Sequence, residues 1–462
     1  MTRVAIIGGG ISGLSAAYAL QKQRAAGADV DYLLYETSSR LGGVLHSELV
    51  HKCLIEAGPD SFLTEKSWAA DLCREIGLED QLITSNDAQR KTYVVKNGRL
   101  VPIPNGLMFM APTRVMPTLF SQLFSWNTKA KIAREWFDAP ESMVTGDESV
   151  AAFVERHYGQ EMLDQLVAPL LAGVYGGDAR QMSMRAVLPR FVEMEKKYGS
   201  LSRGMLQRRK ASPSRNPPRP LFTALKGGMQ QLADALANSL QPEFVRPDTS
   251  VQALQPQGSK WLVSAGYDSD QVDAVIIAAP AYVAAKLLHI ADLTLAAELA
   301  AIPYNSSITV ALAFDNKVRE SLAPGFGFLV PKNEPLEILA ATFVHNKFPF
   351  RAPEDIALIR CFLGGTNADR YMQMDDLRIT EIVRRDLQRV LGITADPLFT
   401  SISRWIRSMA QYTVGHLDRM ARIDELRRKL PGLALAGNAY TGIGIPDCIR
   451  SGMNAAADVL RM

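Results

Sequence analysis

Little in this chain points to metal, disulfide or nucleic-acid chemistry. Its four cysteines, Cys53, Cys73, Cys361 and Cys448, are scattered with no CxxC spacing. Neither a disulfide framework nor a metal site is indicated, and a reducing cytoplasm is the expected home. The net charge is only +3, too small to argue for a nucleic-acid partner. The histidines, His46, His51, His157, His289, His345 and His416, are isolated from one another. Each reads as a core or surface residue, including the best placed, His416 in QYTVGH. No uninterrupted apolar run reaches the ~20 residues a membrane helix needs. The nearest approach, AVIIAAPAYVAAKLLHIADLTLAAELAAI, is broken by Pro280, Lys286, His289 and Asp292. The opening MTRVAIIGGG has no hydrophobic region ending in a cleavage site, so no signal peptide is expected. No internal repeat stands out.

What is present is a composition suited to a large core, 47% hydrophobic and 21% charged over 462 residues, which implies two or three domains. The chain begins with an apolar strand, a glycine turn and an amphipathic helix, RVAIIGGGISGLSAAYALQKQ. Gly8, Gly10 and Gly13 form G-x-G-x-x-G. In the dinucleotide fold these glycines allow the tight turn, the approach to a pyrophosphate and the packing of helix on strand. The helix start at Ile11 and Ser12 offers free N–H groups and a positive dipole end to phosphate. A second strand, DVDYLLYE, ends in Glu36, about 20 residues beyond the last glycine, where an acid accepts the ribose hydroxyls.

Arg40, Gly42 and Gly43 follow directly in TSSRLGGVLHS, and IEAGPDSFL then brings Gly58, Pro59, Asp60 and Ser61. These elements resemble FAD enzymes of the amine oxidase and phytoene desaturase superfamily. The resemblance implies that Arg40 and the glycines continue along the FAD pyrophosphate and that the GPDS loop passes the flavin ring.

Further along, KTYVVKNGRLVPIP alternates around Asn97-Gly98, a hairpin signal. The patterns from about 107 to 200 are mostly helical. Residues 106–126, GLMFMAPTRVMPTLFSQLFSW, are rich in Met and Phe and suit a core, an apolar cavity or a membrane surface. Residues 202–220, SRGMLQRRKASPSRNPPRP, read as a mobile basic loop. The expected fold is α/β (α+β): a discontinuous Rossmann-like FAD-binding domain (1–65, 226–290 and 416–462), a mixed-sheet substrate domain (66–106, 206–225 with its loop, and 291–415) and an inserted helical domain (107–205).

Five further stretches, LAGVYGGDARQMSMRAVLPRF, LKGGMQQLADAL, GFGFLVP, RWIRSMAQYTVGH and GNAYTGIGIPDCIRSG, resemble the oxygen-dependent porphyrinogen oxidases, and the resemblance covers essentially the whole chain. It implies hydride transfer from a methylene bridge of a reduced tetrapyrrole to the flavin, with oxygen reduced to hydrogen peroxide. Gly173 would lie against flavin and macrocycle, Leu329 and Phe362 would pack on the tetrapyrrole faces, and Lys66 would pair with a propionate. Val251 would contact adenine through its backbone and Trp405 would be an aromatic at the flavin edge. Gly437, Ile443, Gly444 and Ile445 would bring the last turn to the pyrimidine edge, with the positive end of the following helix directed at it. No residue announces itself as an indispensable acid or base. Cys448 does not match the superfamily's covalent flavin pattern.

Thr92 stands where the protoporphyrinogen IX branch carries an arginine, and GPDSFLTEK resembles the coproporphyrinogen III branch. The latter is favoured; a shifted register using Arg90 or Lys91 keeps protoporphyrinogen IX open. A flavin amine oxidase is the remoter alternative, although no aromatic cage is identifiable. The expected partners are the tetrapyrrole and molecular oxygen, with peripheral membrane contact and another haem-pathway enzyme as further candidates.

Overall fold

The computed structural model describes residues 1–137, 146–211 and 220–461. At its centre is a five-stranded parallel sheet assembled from distant parts of the chain. Thr2–Ile7 lies between Val30–Tyr35 and Ala274–Ile277, with Val245–Arg246 and Leu433–Leu435 at the two edges. Val4, Ala5 and Ile6 are fully buried, as is each residue from Val275 to Ile277. Strands covered on both faces have no solvent side, which is why they read as continuous apolar runs rather than alternating ones. One face carries the first helix, Ile11–Ala25, and the last, Ile445–Val459, beside Gln230–Ser239. The other face carries an antiparallel sheet of Val251–Gln257, Lys260–Ala265 and Asp268–Val272.

The first and last helices touch backbone to backbone. A Cβ on Gly452 would sit 2.0 Å from the Ser12 carbonyl oxygen, and one on Gly13 would sit 1.8 Å from that of Gly8. Only glycine permits either approach.

A seven-stranded mixed sheet forms the second body. Its order is Phe399–Ala410, Tyr304–Phe314, Ala357–Leu363, Ala340–Phe343, Gly327–Leu329, Thr92–Lys96, Arg99–Pro102. The last two strands are the expected hairpin, and its turn holds Asn97 at φ 52° and Gly98 at φ 72°, the left-handed pair a two-residue turn requires. Alternation divides the sheet into two faces. Ile359, Cys361, Val310 and Leu312 pack with Ile379, Ile382, Val383 and Leu387 of the helix Asp376–Leu391. The opposite face carries a paired row, Val94–Leu329–Ala340–Phe362–Thr309–Ser403, with Arg360 one step along the same strand. The helices Val150–Tyr158, Ala168–Tyr175, Met184–Val187, Pro189–Tyr198 and Leu201–Ala211 form the helical part; a π-helical turn, Leu163–Val167, leads into the second of these.

The basic segment expected as a loop over 202–220 is helical as far as Ala211; residues 212–219 lie outside the described ones. The reason is a cap from far away. The buried Glu135 carboxylate accepts from Leu201 N at 2.5 Å and Ser202 N at 3.2 Å, satisfying N–H groups that the helix itself leaves free. Of the Met- and Phe-rich stretch, Met110, Leu123 and Phe124 are buried, whereas Met116 and Phe120 are exposed. No described helix is long and apolar enough to cross a membrane.

Replacing Gly452 with Val should push the last helix off the first, because the Ser12 carbonyl has no room to retreat. The expected loss is roughly 2 kcal/mol or more of unfolding free energy, read from the urea midpoint. An unchanged midpoint would mean the two helices can separate at little cost.

Candidate functional site

The first turn is shaped for a dinucleotide. Gly8 has φ 107°, and a Cβ there would meet the Ala278 carbonyl oxygen at 2.8 Å. Gly10 faces open space, with nothing within 4 Å of the position its Cβ would take. No side chain caps the helix beginning at Ile11, and its first turn, which includes Ser12, contains no acid. Glu36 stands beside this turn: one carboxylate oxygen accepts from Gly9 N at 2.6 Å and the other from Ser38 N at 2.9 Å. The RLGG loop lies against it, with Gly42 N donating to Gly9 O at 2.8 Å and Gly43 facing the Gly10 Cα. Arg40 knits that loop, donating to the carbonyls of Leu41, Gly43 and Leu45 and to Gln230 Oε1. Thr249 N donates to Glu36 O, so the strand that opens at Val251 starts beside the acid.

The last turn begins at the end of another parallel strand, Leu433–Leu435. Gly437 has φ 133° with open space around it, and its N–H donates to Ser451 Oγ. Gly444 is the N-cap of the last helix, again without a side-chain cap, and Ile445 and Pro446 follow. Tyr412 braces the segment: its hydroxyl donates to Asn438 O and accepts from Gly442 N at 2.7 Å, and its ring stacks on His416 at 4.0 Å. His416 Nε2 lies 3.2 Å from Tyr440 O. Burial pulls the His416 imidazole below its ordinary pKa, which fits a structural, neutral ring. Burial pushes the Cys448 thiol up to about 12, so it stays protonated and unreactive. Asp447 was not anticipated at the site. It lies in the first turn of this helix, nearly buried, and is paired with Lys66 Nζ at 2.5 Å and Arg450 at 3.7 Å. Lys66, expected to face a propionate, therefore has a carboxylate of the chain as its partner. Ile443, Gly444 and Ile445 lie within four residues of that acid.

The GPDS loop joins the two bodies. Ala57 O accepts from Thr309 Oγ1 at 2.7 Å, Trp405 Nε1 at 2.8 Å and Arg360 Nη2 at 3.3 Å. A Cβ on Gly58 would lie 1.8 Å from Val44 O and 3.6 Å from the Trp405 ring. After Pro59, Asp60 pairs with Lys347 at 2.9 Å and accepts from Ser61 Oγ at 2.6 Å. Burial alone would raise the Asp60 pKa, but Lys347 and Arg360 together hold it well below the usual carboxylate range. Behind it Arg351 and Glu56 form a buried pair. None of Lys347, Arg351 and Arg360 was picked out from sequence, although a lone arginine in the apolar strand ALIRCFL signals a buried partner.

Gly173 is exposed, and a Cβ on it would stand 3.8 Å from Leu329 Cδ2. Leu329 and Phe362 share the sheet face that carries Thr309 and Arg360, and the Arg360 guanidinium lies 4.9 Å from the Phe362 ring centre. Gly173, Leu329, Phe362, Gly58 and Trp405 are thus linked through one sheet face, while Lys66 belongs with the last helix. Among the described residues no group of His, Cys, Asp and Glu could hold a metal.

Two helix starts without side-chain caps, glycines opening onto free space and an acid at the second strand fit the phosphates and ribose of a dinucleotide. With the seven-stranded sheet clamped onto the loop between them, they define an oxidoreductase that binds FAD. The flavin containing amine oxidoreductase model matches residues 11–460, and the chain belongs to that family. It is similar to coproporphyrinogen III oxidase of Bacillus subtilis, with 34% identity across 99% of this chain and 97% of the relative. Protoporphyrinogen oxidase 2 of Arabidopsis thaliana is 28% identical across 98% of this chain and 93% of its own length. A crystal structure from an Exiguobacterium species, provisionally named a protoporphyrinogen oxidase, superposes with a TM-score of 0.89 at 30% identity, covering 100% of this chain and 99% of that one.

His345 sits in the turn Val344–Lys347 that delivers Lys347 to Asp60, and Leu358 N donates to its Nδ1 at 3.1 Å. Burial pushes this imidazole down to about 4. Its neutral form is held in the folded state, so the stability it contributes is complete above about pH 6.5. That contribution is lost as the pH falls from there through about 4. The shift corresponds to about 3 kcal/mol. A His345→Gln variant should lack that part of the acid-side decline in urea-unfolding free energy; parallel profiles for the two proteins would contradict the assignment.

Proposed function

We propose that this chain oxidises coproporphyrinogen III to coproporphyrin III with FAD and molecular oxygen, releasing hydrogen peroxide. The observation that carries the reading is the setting of Gly173, exposed and beside Leu329. A helix residue without a side chain faces Leu329, in a sheet row that also holds Phe362, which suits a broad, flat, apolar substrate. Bound FAD would supply the hydride acceptor and pass the electrons to oxygen. The chain supplies position and exclusion of water. Gly8, Gly10, Ile11, Ser12, Gly13, Arg40, Gly42 and Gly43 would hold the pyrophosphate region, and Glu36 the ribose. Val251 would lie at the adenine, and Gly58, Trp405, Gly437, Ile443, Gly444 and Ile445 around the ring system. Leu329 and Phe362 would cover the macrocycle faces. Burial pushes the Tyr175 hydroxyl up to about 12, so it stays protonated, and the pyrrole proton would leave to solvent or to another base.

Two observations favour coproporphyrinogen III over protoporphyrinogen IX. The relative with 34% identity bears the former name and the plant relative with 28% the latter. Thr92 pairs with Gly327, two residues before Val94, and so shares the sheet face of Leu329. Arg90, the candidate under a shifted register, is exposed and lies 3.7 Å from Asp87. Lys66 would exchange Asp447 for a substrate carboxylate. The same reading places the protein in the cytoplasm, with Met116, Phe120 and Trp126, all exposed, offering a peripheral membrane contact.

Purified holoprotein should turn over coproporphyrinogen III with kcat/KM at least ~10-fold above that for protoporphyrinogen IX, and leave polyamines untouched. Lys66→Ala should raise KM for the tetracarboxylate by roughly 10-fold, the worth of one charged hydrogen bond, and that for the dicarboxylate by less. Equal small effects on both would remove Lys66 from the substrate site. Faster turnover of protoporphyrinogen IX would reverse the choice of substrate.

A further inference from the structure

The Ala57 carbonyl is unusual in what it accepts. A carbonyl oxygen has two lone pairs, yet three side chains converge on this one from three strands of the seven-stranded sheet: Thr309, Arg360 and Trp405. The same Arg360 nitrogen also donates to the next carbonyl, Gly58 O. Arg360 is 5% exposed. No packing rule of the sheet calls for a charged residue here; an apolar side chain would complete ALIRCFL. The energy of burying a guanidinium is offset only by these contacts and by nearby carboxylates.

The charges behind the loop do not cancel. Lys347, Arg351 and Arg360 face Glu56 and Asp60 in one buried group. One positive charge is in excess. The geometry has a directional consequence as well. The peptide unit is planar and trans, so its C=O and N–H point in opposite directions. Fixing the Ala57 carbonyl toward the sheet aims the Gly58 N–H away from it. Gly58 N donates to no acceptor among the described residues. Gly58 lies between the Trp405 ring and Val44 of the loop that abuts Gly10, so this donor belongs to the cofactor cradle.

We propose that Arg360 is a positioning residue for the flavin. With Thr309 and Trp405 it locks the Ala57–Gly58 peptide so that the Gly58 N–H is presented to the cofactor, and it leaves a buried positive charge behind that donor. Both effects favour the electron-rich reduced flavin over the oxidised one, because a preorganised donor and a buried cation stabilise added negative charge at no cost in reorganisation. The inference rests on flavin binding and not on which porphyrinogen is the substrate.

The test is the two-electron midpoint potential of bound FAD, measured on holoprotein by dye equilibration, together with FAD affinity by fluorescence. Arg360→Met should reduce the preference for reduced over oxidised flavin by about 10-fold, which is about 30 mV for a two-electron couple. Arg360→Lys keeps the charge but not the fork. It should recover most of the potential while still weakening FAD binding. Should Arg360→Met fail to fold, Thr309→Val and Trp405→Phe each remove one donor from Ala57; each should lower the potential by a smaller step at unchanged thermal midpoint. Variants that lose thermal stability but keep the wild-type potential would overturn the proposal, as would a potential that rises on loss of Arg360.

Discussion

The contact between the backbones of the first and last helices is the constraint on which the cofactor site depends. Helices normally pack at 8–10 Å, separated by side chains. Here Gly452 of the last helix meets the Ser12 carbonyl of the first, with nothing between them. Each helix follows a strand of the same parallel sheet, so both start at the carboxyl ends of those strands, where open α/β sheets bind ligands. Close packing therefore brings two uncapped helix starts, Ile11 and Ile445, to one edge of the sheet. One suits phosphate. The other, with Asp447 balanced by Lys66 and Arg450, is close to neutral and suits an uncharged ring edge. The acid tempers the dipole that a bare helix start would present.

The seven-stranded sheet is joined to this cradle by polar contacts. Its paired row turns Thr309 and Phe362 to one face, and Arg360 takes the same face one step away. Thr309 and Arg360 end on the loop at Ala57 and Gly58, while Phe362 shares its row with Leu329, the neighbour of Gly173. A single register therefore sets both the loop at Ala57 and Gly58 and the sheet face proposed to meet the substrate. A shift of one residue would turn Arg360 and Phe362 into the apolar layer against the helix Asp376–Leu391. The buried charges thus fix how the sheet meets the cofactor loop, a role in which hydrogen-bonded ions serve better than apolar packing.

The parts of the fold governed by local rules were legible in the sequence. The glycine turn, Glu36, the Asn97-Gly98 hairpin and the final Gly-rich turn each follow from the conformational needs of a few neighbouring residues. The α/β class followed from the apolar strands alternating with helical patterns. What escaped depends on partners distant in the chain. Lys66 and Asp447 are 381 residues apart, Arg360 and Gly58 302, Glu56 and Arg351 295. No spacing rule connects such residues. From residue 202 the basic, polar composition suits a loop; the carboxylate that starts the helix at Leu201 belongs to Glu135, 66 residues earlier. Trp405 was seen as an aromatic, whereas its hydrogen bond to Ala57 needed the fold.

The central claim is that the face at Gly173 and Leu329 presents a porphyrinogen to the flavin held between the two helix starts. Anaerobic mixing of the holoprotein with coproporphyrinogen III, followed by absorbance in the flavin's visible band, tests it without oxygen chemistry intervening. The account predicts that the band bleaches in step with porphyrin formation. A band that stays yellow with this substrate, or bleaches only with an amine, would contradict it.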